Sequence, residues 1–275
     1  MEQTKIKVIN FDLKEEQEVM YEEIKSKVMD KEVSSRLFKN SDDDGTPFNY
    51  NSEDDPCSVV NFDDELHYIQ ELQCVDIVFV VDCTSSMKSI FRGIKKFIRK
   101  LVWDANKCLT KYLTPNPEKI RVGLVKYRDH PPQNKTFVTE VFQLTSNFKS
   151  FKDEVNKMTA QGGGDMPEAV LDGLQAALNL NWRDESFKFI YHLLDSPPHG
   201  RTFTDAMDAF PGGCPCGIDY ESVLSEMRAM SIQYNIIKLS NEIDRMINVF
   251  SEIMPFDVMN PLLQIDSLKK IEQTD

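Results

Sequence analysis

No segment of this chain offers the roughly 20 consecutive apolar residues that a membrane helix needs. Its first residues, Met1-Glu2-Gln3-Thr4-Lys5, lack the apolar core of a secretory signal. A cytoplasmic protein with no transmembrane segment is therefore expected. A basic footprint is missing too: the 275 residues hold 45 Asp and Glu against 32 Lys and Arg, a net charge of −13. Nucleic-acid binding, which relies on neutralising phosphates, is not expected. The chain contains no P-loop, and no glycine-rich turn follows its first apolar strand, so the usual signals of a nucleotide-binding Rossmann enzyme are absent. Six cysteines are present, at positions 57, 74, 83, 108, 214 and 216, and none lies beyond Cys216 to staple the C-terminus. With no secretory signal, reduced thiols are expected. Cys214-Pro215-Cys216 lacks the two-residue spacing of the common zinc knuckle, and zinc held by this pair with His199 is the alternative reading.

The charge is unevenly placed. Residues 1–74 carry 19 Asp and Glu against 8 Lys and Arg, a balance of −11, which leaves the rest of the chain nearly neutral. Within this leader, residues 12–39 have Leu13, Val19, Met20, Ile24 and Val28 near helical spacing, with no Gly or Pro. Residues 40–66 hold three acidic clusters and no Lys or Arg, and read as a solvated linker. An EF-hand is the alternative there, but Gly45 comes two places early for the loop that Asp42 and Asp44 would begin. The expected division is a helical segment over 1–39, an acidic linker over 40–74, a main domain over 75–255 and a tail over 256–275 that ends in a short docking helix.

From residue 75 the pattern alternates. Apolar runs at 75–81, 120–127, 187–194 and 232–239 predict strands, with another near 137–142. Between them, periodic apolar positions predict helices from Met87 onward and over 147–158, 167–180, 220–230 and 241–254. Alternating strands and helices give an α/β fold, a doubly wound and mostly parallel Rossmann-like sheet with an acidic, partly helical N-terminal extension. No internal repeat is present.

Ligands of such sheets sit at the carboxyl ends of the strands. Three oxygen-rich loops should meet there. The first, Asp82-Cys83-Thr84-Ser85-Ser86-Met87, places a carboxylate and two hydroxyls at alternate positions. Either it offers Asp82, Thr84 and Ser86 to a hard cation, or Ser85 or Ser86 caps the following helix. The second is Gly162-Gly163-Gly164-Asp165-Met166-Pro167-Glu168, and the third places Asp195 after the strand at 187–194. Carboxylates crowded there without a cation would repel one another.

These three segments, in this order, resemble the von Willebrand factor type A domain and its metal-ion-dependent adhesion site. Tyr127-Arg128-Asp129-His130, Gly164-Asp165-Met166-Pro167-Glu168 and Gly213-Cys214-Pro215-Cys216-Gly217 resemble most the intracellular branch associated with alpha-type protein kinases. The resemblance implies that Asp82, Thr84 and Ser86 are primary metal ligands, with Asp165 and Asp195 bound directly or through water. It implies Mg²⁺ (or Mn²⁺) as the ion and another protein, reached through that ion, as the partner. Glu168 is expected behind the ligands or as a first-turn acid of the helix beginning at Pro167, and Asp129 as a structural hydrogen-bonder. Many adhesive members have Thr where this chain has Asp165, and the extra carboxylate should hold the metal well while weakening its pull on a partner's acid.

The expected function is non-catalytic: a protein-binding module that presents a divalent ion. The alternatives are a regulatory relative of an alpha-type kinase lacking the kinase domain, and a metal-dependent phosphotransfer enzyme using Asp82 as nucleophile. The latter class commonly wants a second carboxylate two residues later, where this chain has Thr84. A domain of this fold that holds no metal is the remaining reading. The four histidines show no helical ligand spacing, with His192 expected in the core, and Asn134-Lys135-Thr136 matches a glycosylation sequon only by chance.

Overall fold

The computed structural model describes residues 8–10, 74–112 and 119–260. The predicted helix over 12–39, the acidic linker over 40–74 except for Cys74, and the end of the tail lie outside the described residues. The strands are β1 (Val8–Asn10), β2 (Cys74–Asp82), β3 (Ile120–Tyr127), β4 (Thr139–Thr145), β5 (Ser186–Leu194), β6 (Ile232–Lys238) and β7 (Asp257–Asn260). The helices are α1 (Phe91–Tyr112), α2 (Phe148–Lys157), α3 (Val170–Leu178), α4 (Tyr220–Ala229) and α5 (Asp244–Ser251). All seven strands join one sheet in the order β1-β7-β6-β5-β2-β3-β4. Every pair is parallel except β3 with β4. The doubly wound, mostly parallel α/β sheet is therefore present, with an antiparallel strand at one edge.

β2 is a central strand buried on both faces, as its β-branched run requires. Its side chains alternate between two layers. Val78 and Val80 join the core formed with α3, α4 and α5, which includes Leu174, Leu224 and Phe250. Phe79 points the other way, with its ring 5.9 Å from Phe151 of α2. Helix starts follow local chemistry: the Asn147 side chain accepts from the Ser150 N–H at the head of α2, and Asp219 does the same for Ser222 at the head of α4. The expected core position of His192 holds. It is fully buried between the hydroxyls of Tyr127 (3.0 Å) and Tyr234 (2.7 Å). Burial pushes its pKa down to about 3, so the ring is neutral.

Three features differ from expectation. α3 starts at Val170, three residues after Pro167, because the Glu168 N–H donates to Pro197 O and Glu168 forms a parallel bridge with Pro198. That pairing holds Glu168 in extended backbone. Residues 257–260, assigned to the tail, form β7 against β6, with Val258 buried. β1, inside the leader, pairs in parallel with β7. Each is a strand of three or four residues, too short for alternation to register.

At the end of the sheet opposite the three oxygen-rich loops, Asp76 anchors the start of β2. It is fully buried and takes paired hydrogen bonds from the Arg121 guanidinium (3.0 and 2.7 Å), two more from the Arg183 guanidinium (3.1 and 2.5 Å), one from the Arg183 backbone N–H (3.0 Å) and one from Ser186 Oγ (3.0 Å). Burial by itself would raise the Asp76 pKa, but the hydrogen bonds from Arg121 and Arg183 outweigh it and hold the carboxyl below its usual range. Asp76→Ala should cost about 2–4 kcal/mol in urea unfolding at pH 7, since two partly exposed guanidinium groups lose their anion. Because the folded pKa is depressed, this contribution is complete above the unfolded value near pH 4 and is lost as pH falls through the folded value. The stability gap between native protein and Asp76→Asn should accordingly narrow below about pH 4. A gap independent of pH would contradict the assignment.

Candidate metal centre

β2 ends at Asp82, and the chain then turns sharply. Thr84 is extended (φ −83°, ψ 170°) and precedes a single 3-10 turn, Ser85–Ser89, with no side-chain cap. The capping alternative for Ser86 is thereby decided against, because its hydroxyl points into the cleft. Thr84 donates to Asp82 Oδ1 from both its N–H (2.8 Å) and its Oγ1 (2.6 Å). Thr84 Oγ1 lies 3.1 Å from Ser86 Oγ, which donates to Asp195 Oδ1 at 3.0 Å. Asp82, Thr84, Ser86 and Asp195 thus form one continuous chain of oxygens across the ends of the neighbouring strands β2 and β5.

The glycine-rich loop closes over this chain. Ser85 N–H donates to Gly162 O (3.0 Å), and Gln161 N–H to Cys83 O (2.9 Å). Gly162 (φ +85°) and Gly163 (φ +77°) are left-handed. A Cβ on Gly163 would lie 2.5 Å from Glu168 Oε1 and 3.3 Å from Thr84 Cβ, so only glycine allows the loop this close. Arg128 ties the same region together, donating to Cys83 O (3.2 Å), Thr136 Oγ1 (2.5 Å) and Thr159 O (3.0 Å). Asn134 of the sequon is buried, and its Nδ2 donates to Phe137 O (2.7 Å), so its place there is structural.

Asp165 stands to one side of the oxygen chain. Its Oδ2 accepts from the Ala209 N–H (2.6 Å), and its charge neighbours are Asp129 and His199. The group nearest the middle is Glu168, whose pKa burial pushes up to about 11, with Asp82, Asp129, Asp165 and Asp195 all adding to the rise. Extended backbone at Glu168 aims this side chain inward, so it is not a first-turn helix acid. Asp82 is pushed up to about 8 by burial and by Asp195, against two hydrogen bonds from Thr84. Asp195 and Asp165 are also raised, chiefly by burial.

Asp129 does act as a hydrogen-bonder: its Oδ1 accepts from the His130 N–H (2.6 Å) and lies 2.8 Å from His199 Nε2. The other His199 nitrogen lies 2.8 Å from Asp208 Oδ1. Burial would lower the His199 pKa, but the two carboxylates outweigh it and raise it. Asp208, which sequence reasoning did not single out, is fixed by the N–H groups of Gly200 (2.8 Å) and Phe210 (2.7 Å).

Five carboxylates thus lie near two hydroxyls, with Asp82, Thr84, Asp129 and Glu168 buried and Asp165, Asp195 and Ser86 reaching toward solvent. Among the described residues, Asp82 Oδ2, Asp129 Oδ2, Asp165 Oδ1 and Glu168 Oε2 are buried without a hydrogen-bond partner. Orphaned carboxylate oxygens are costly unless a cation balances them. An all-oxygen donor set of this kind suits a hard divalent ion. The residues therefore fit a metal such as Mg²⁺, which the hydrogen-bonded set Asp82, Thr84, Ser86 and Asp195 would hold, with Glu168 close enough to feel the charge of Asp82 and Asp195.

The model of the von Willebrand factor type A domain matches residues 76–252. The alpha-protein kinase vwkA of Dictyostelium discoideum is 31% identical over 185 residues, which is 67% of this chain and 28% of that protein, so the chain spans little more than a quarter of this relative's length. Among solved structures, the open conformation of the pilus adhesin SpaC from Lactobacillus rhamnosus GG aligns with 70% of this chain and 28% of its own, at 12% identity and a TM-score of 0.46. No described helix is long and apolar enough to cross a membrane. With a family model that runs from β2 to the end of α5, and a relative near the alpha-kinase-associated branch, the chain belongs to the von Willebrand factor type A domain family.

Proposed function

We propose that this domain is a non-catalytic protein-binding module whose carboxylate cleft presents a divalent ion, Mg²⁺ or Mn²⁺, to an oxygen ligand on a partner protein. The observation that carries this reading is the set of orphaned carboxylate oxygens around the chain Asp82–Thr84–Ser86–Asp195. When bound, the ion would supply an electrophilic position that a partner's carboxylate could fill. Thr84 and Ser86 donate hydrogen bonds to Asp82 and Asp195, which fixes both carboxylates in place. His199, buried with one ring nitrogen on Asp129 and the other on Asp208, holds those two carboxylates in place behind the site.

The phosphotransfer alternative fits less well. Asp82 Oδ1 already accepts two hydrogen bonds from Thr84, and the residue two places on is a hydroxyl with no acid function. The likeness to an alpha-protein kinase supports a role beside such an enzyme, as a module that brings a partner to it. The charge set gives the domain its own character. Asp165, with Oδ2 on the Ala209 N–H and Oδ1 without a partner among the described residues, would add negative charge near the ion, which would strengthen its retention and moderate its attraction for an acidic partner.

Calorimetric titration of the metal-stripped chain with Mg²⁺ and Mn²⁺ tests the reading. One-site binding is expected in the native protein and none in Asp82→Ala; equal binding in both would refute it. Glu168→Gln should weaken Mg²⁺ binding by about 10-fold or more, because the amide cannot release a proton to become an anion when the ion enters, as Glu168 can. Asp165→Thr should lower metal affinity yet raise the capture of acidic peptides in saturating Mg²⁺. No gain in capture would count against the role given to Asp165.

A further inference from the structure

A second cluster of a different chemistry lies beside the first. His130 follows β3, Asp172 is in the first turn of α3, and Cys214 and Cys216 lie in the loop leading to α4. These four residues offer one donor atom each, all within 4.8 Å of one another. His130 Nε2 is 3.0 Å from Asp172 Oδ2 and 3.8 Å from Cys214 Sγ. Cys214 Sγ is 3.1 Å from Asp172 Oδ2, and Cys216 Sγ is 3.9 Å from His130 Nδ1. Bond lengths of about 2.0–2.3 Å in a tetrahedral zinc site set neighbouring donors roughly 3.3–3.8 Å apart. The contacts among His130 Nε2, Asp172 and Cys214 are already near that size, and Cys216, now nearest the other ring nitrogen, stays within the 4.8 Å spread of the set.

We propose that His130, Asp172, Cys214 and Cys216 form a structural zinc site. The sequence around the thiols is built to converge them. Gly213 (φ +113°) and Gly217 (φ +72°) flank Cys214-Pro215-Cys216, and the Gly217 N–H donates to Cys214 O (3.0 Å), closing a tight turn. The short spacing that argues against a zinc knuckle is thus met by two ligands from elsewhere in the fold. His199, the partner suggested by sequence, is instead committed to Asp129 and Asp208. Its place is taken by His130, whose ring stands 5.6 Å from that of His199 and meets Phe210 edge-on at 5.7 Å.

Donor chemistry separates this site from the carboxylate cleft. Thiolate and imidazole select zinc, whereas an all-oxygen set selects Mg²⁺ or Mn²⁺. His130 and Asp172 are buried and preset, while Cys216 is exposed and leaves an entry path. Without metal the thiols keep their protons: burial and Asp172 push Cys214 up to about 12. Zinc binding releases both thiol protons to solvent and leaves two thiolates, one carboxylate and one neutral imidazole on the ion. The ion would pin the loop carrying His199 and Asp208 to α3 and to the turn that carries Asp129. It would thereby brace the rim of the carboxylate cleft.

The test is zinc uptake by the reduced full chain, read as metal per chain by mass spectrometry after desalting, with Co²⁺ substitution followed by absorption. One zinc per chain is expected, with a thiolate-to-cobalt charge-transfer band and tetrahedral visible bands. Cys216→Ser, at an exposed position, and Cys214→Ser should each weaken zinc at least about 10-fold and diminish that band. Asp82→Ala should keep its zinc, which separates this site from the carboxylate cleft. A folded, reduced native chain that takes up no zinc would overturn the proposal. So would zinc retained unchanged in the double cysteine variant.

Discussion

Like-charge crowding at the carboxyl ends of β2 and β5 is the constraint around which this domain is arranged. The charges of Asp82, Asp195, Asp129 and Asp165 all reach Glu168, and four oxygens of this set are buried without partners among the described residues. A fold does not gather such a set by packing alone, because each buried anion costs desolvation and repels the rest. The surrounding architecture serves to hold them despite that cost. Two-sided burial fixes β2, the left-handed glycines bring the second loop against Thr84, and the bridge from Glu168 to Pro198 turns an acid inward that would otherwise begin α3.

The two ends of the sheet handle buried charge in opposite ways. Asp76 is matched by Arg121, Arg183 and Ser186, and its carboxyl is held below the usual range. Asp82, six residues along the same strand, accepts hydrogen bonds from Thr84 alone among the described residues and is pushed up to about 8. One end is complete within the protein, and at the other the carboxylates keep oxygens without a partner among the described residues, which is the basis of the proposed ion. The unmatched end lies at the carboxyl ends of the strands, where open α/β sheets place their ligands.

Much of this was legible in the sequence because it rests on periodicity and on carboxylates at strand ends. The run at 75–81, the strand at 120–127 and the helix at 220–230 lie within a residue of the observed elements, since buried strands and amphipathic helices write their period into the chain. Asp82, Thr84, Ser86 and Asp195 could be grouped because each follows a readable strand. Glu168 could not be placed in the centre, because its inward aim depends on a two-residue bridge to Pro198 that no local pattern announces. His130 replaced His199 beside the cysteines for a similar reason: which histidine meets a thiol is set by how two loops cross. β1 and β7 are too short to show alternation.

The claim that the cleft is built for a cation is tested most directly by thermal unfolding of the native chain and Asp82→Asn, each with and without Mg²⁺. The amide keeps an acceptor for Thr84 while removing one charge. The account predicts that metal-free Asp82→Asn melts above the metal-free native protein and does not respond to Mg²⁺. The native chain should gain about 2.7 kcal/mol at a hundredfold excess of Mg²⁺ over its dissociation constant. A native protein indifferent to both Mg²⁺ and Mn²⁺, with a variant no more stable than it, would contradict the account.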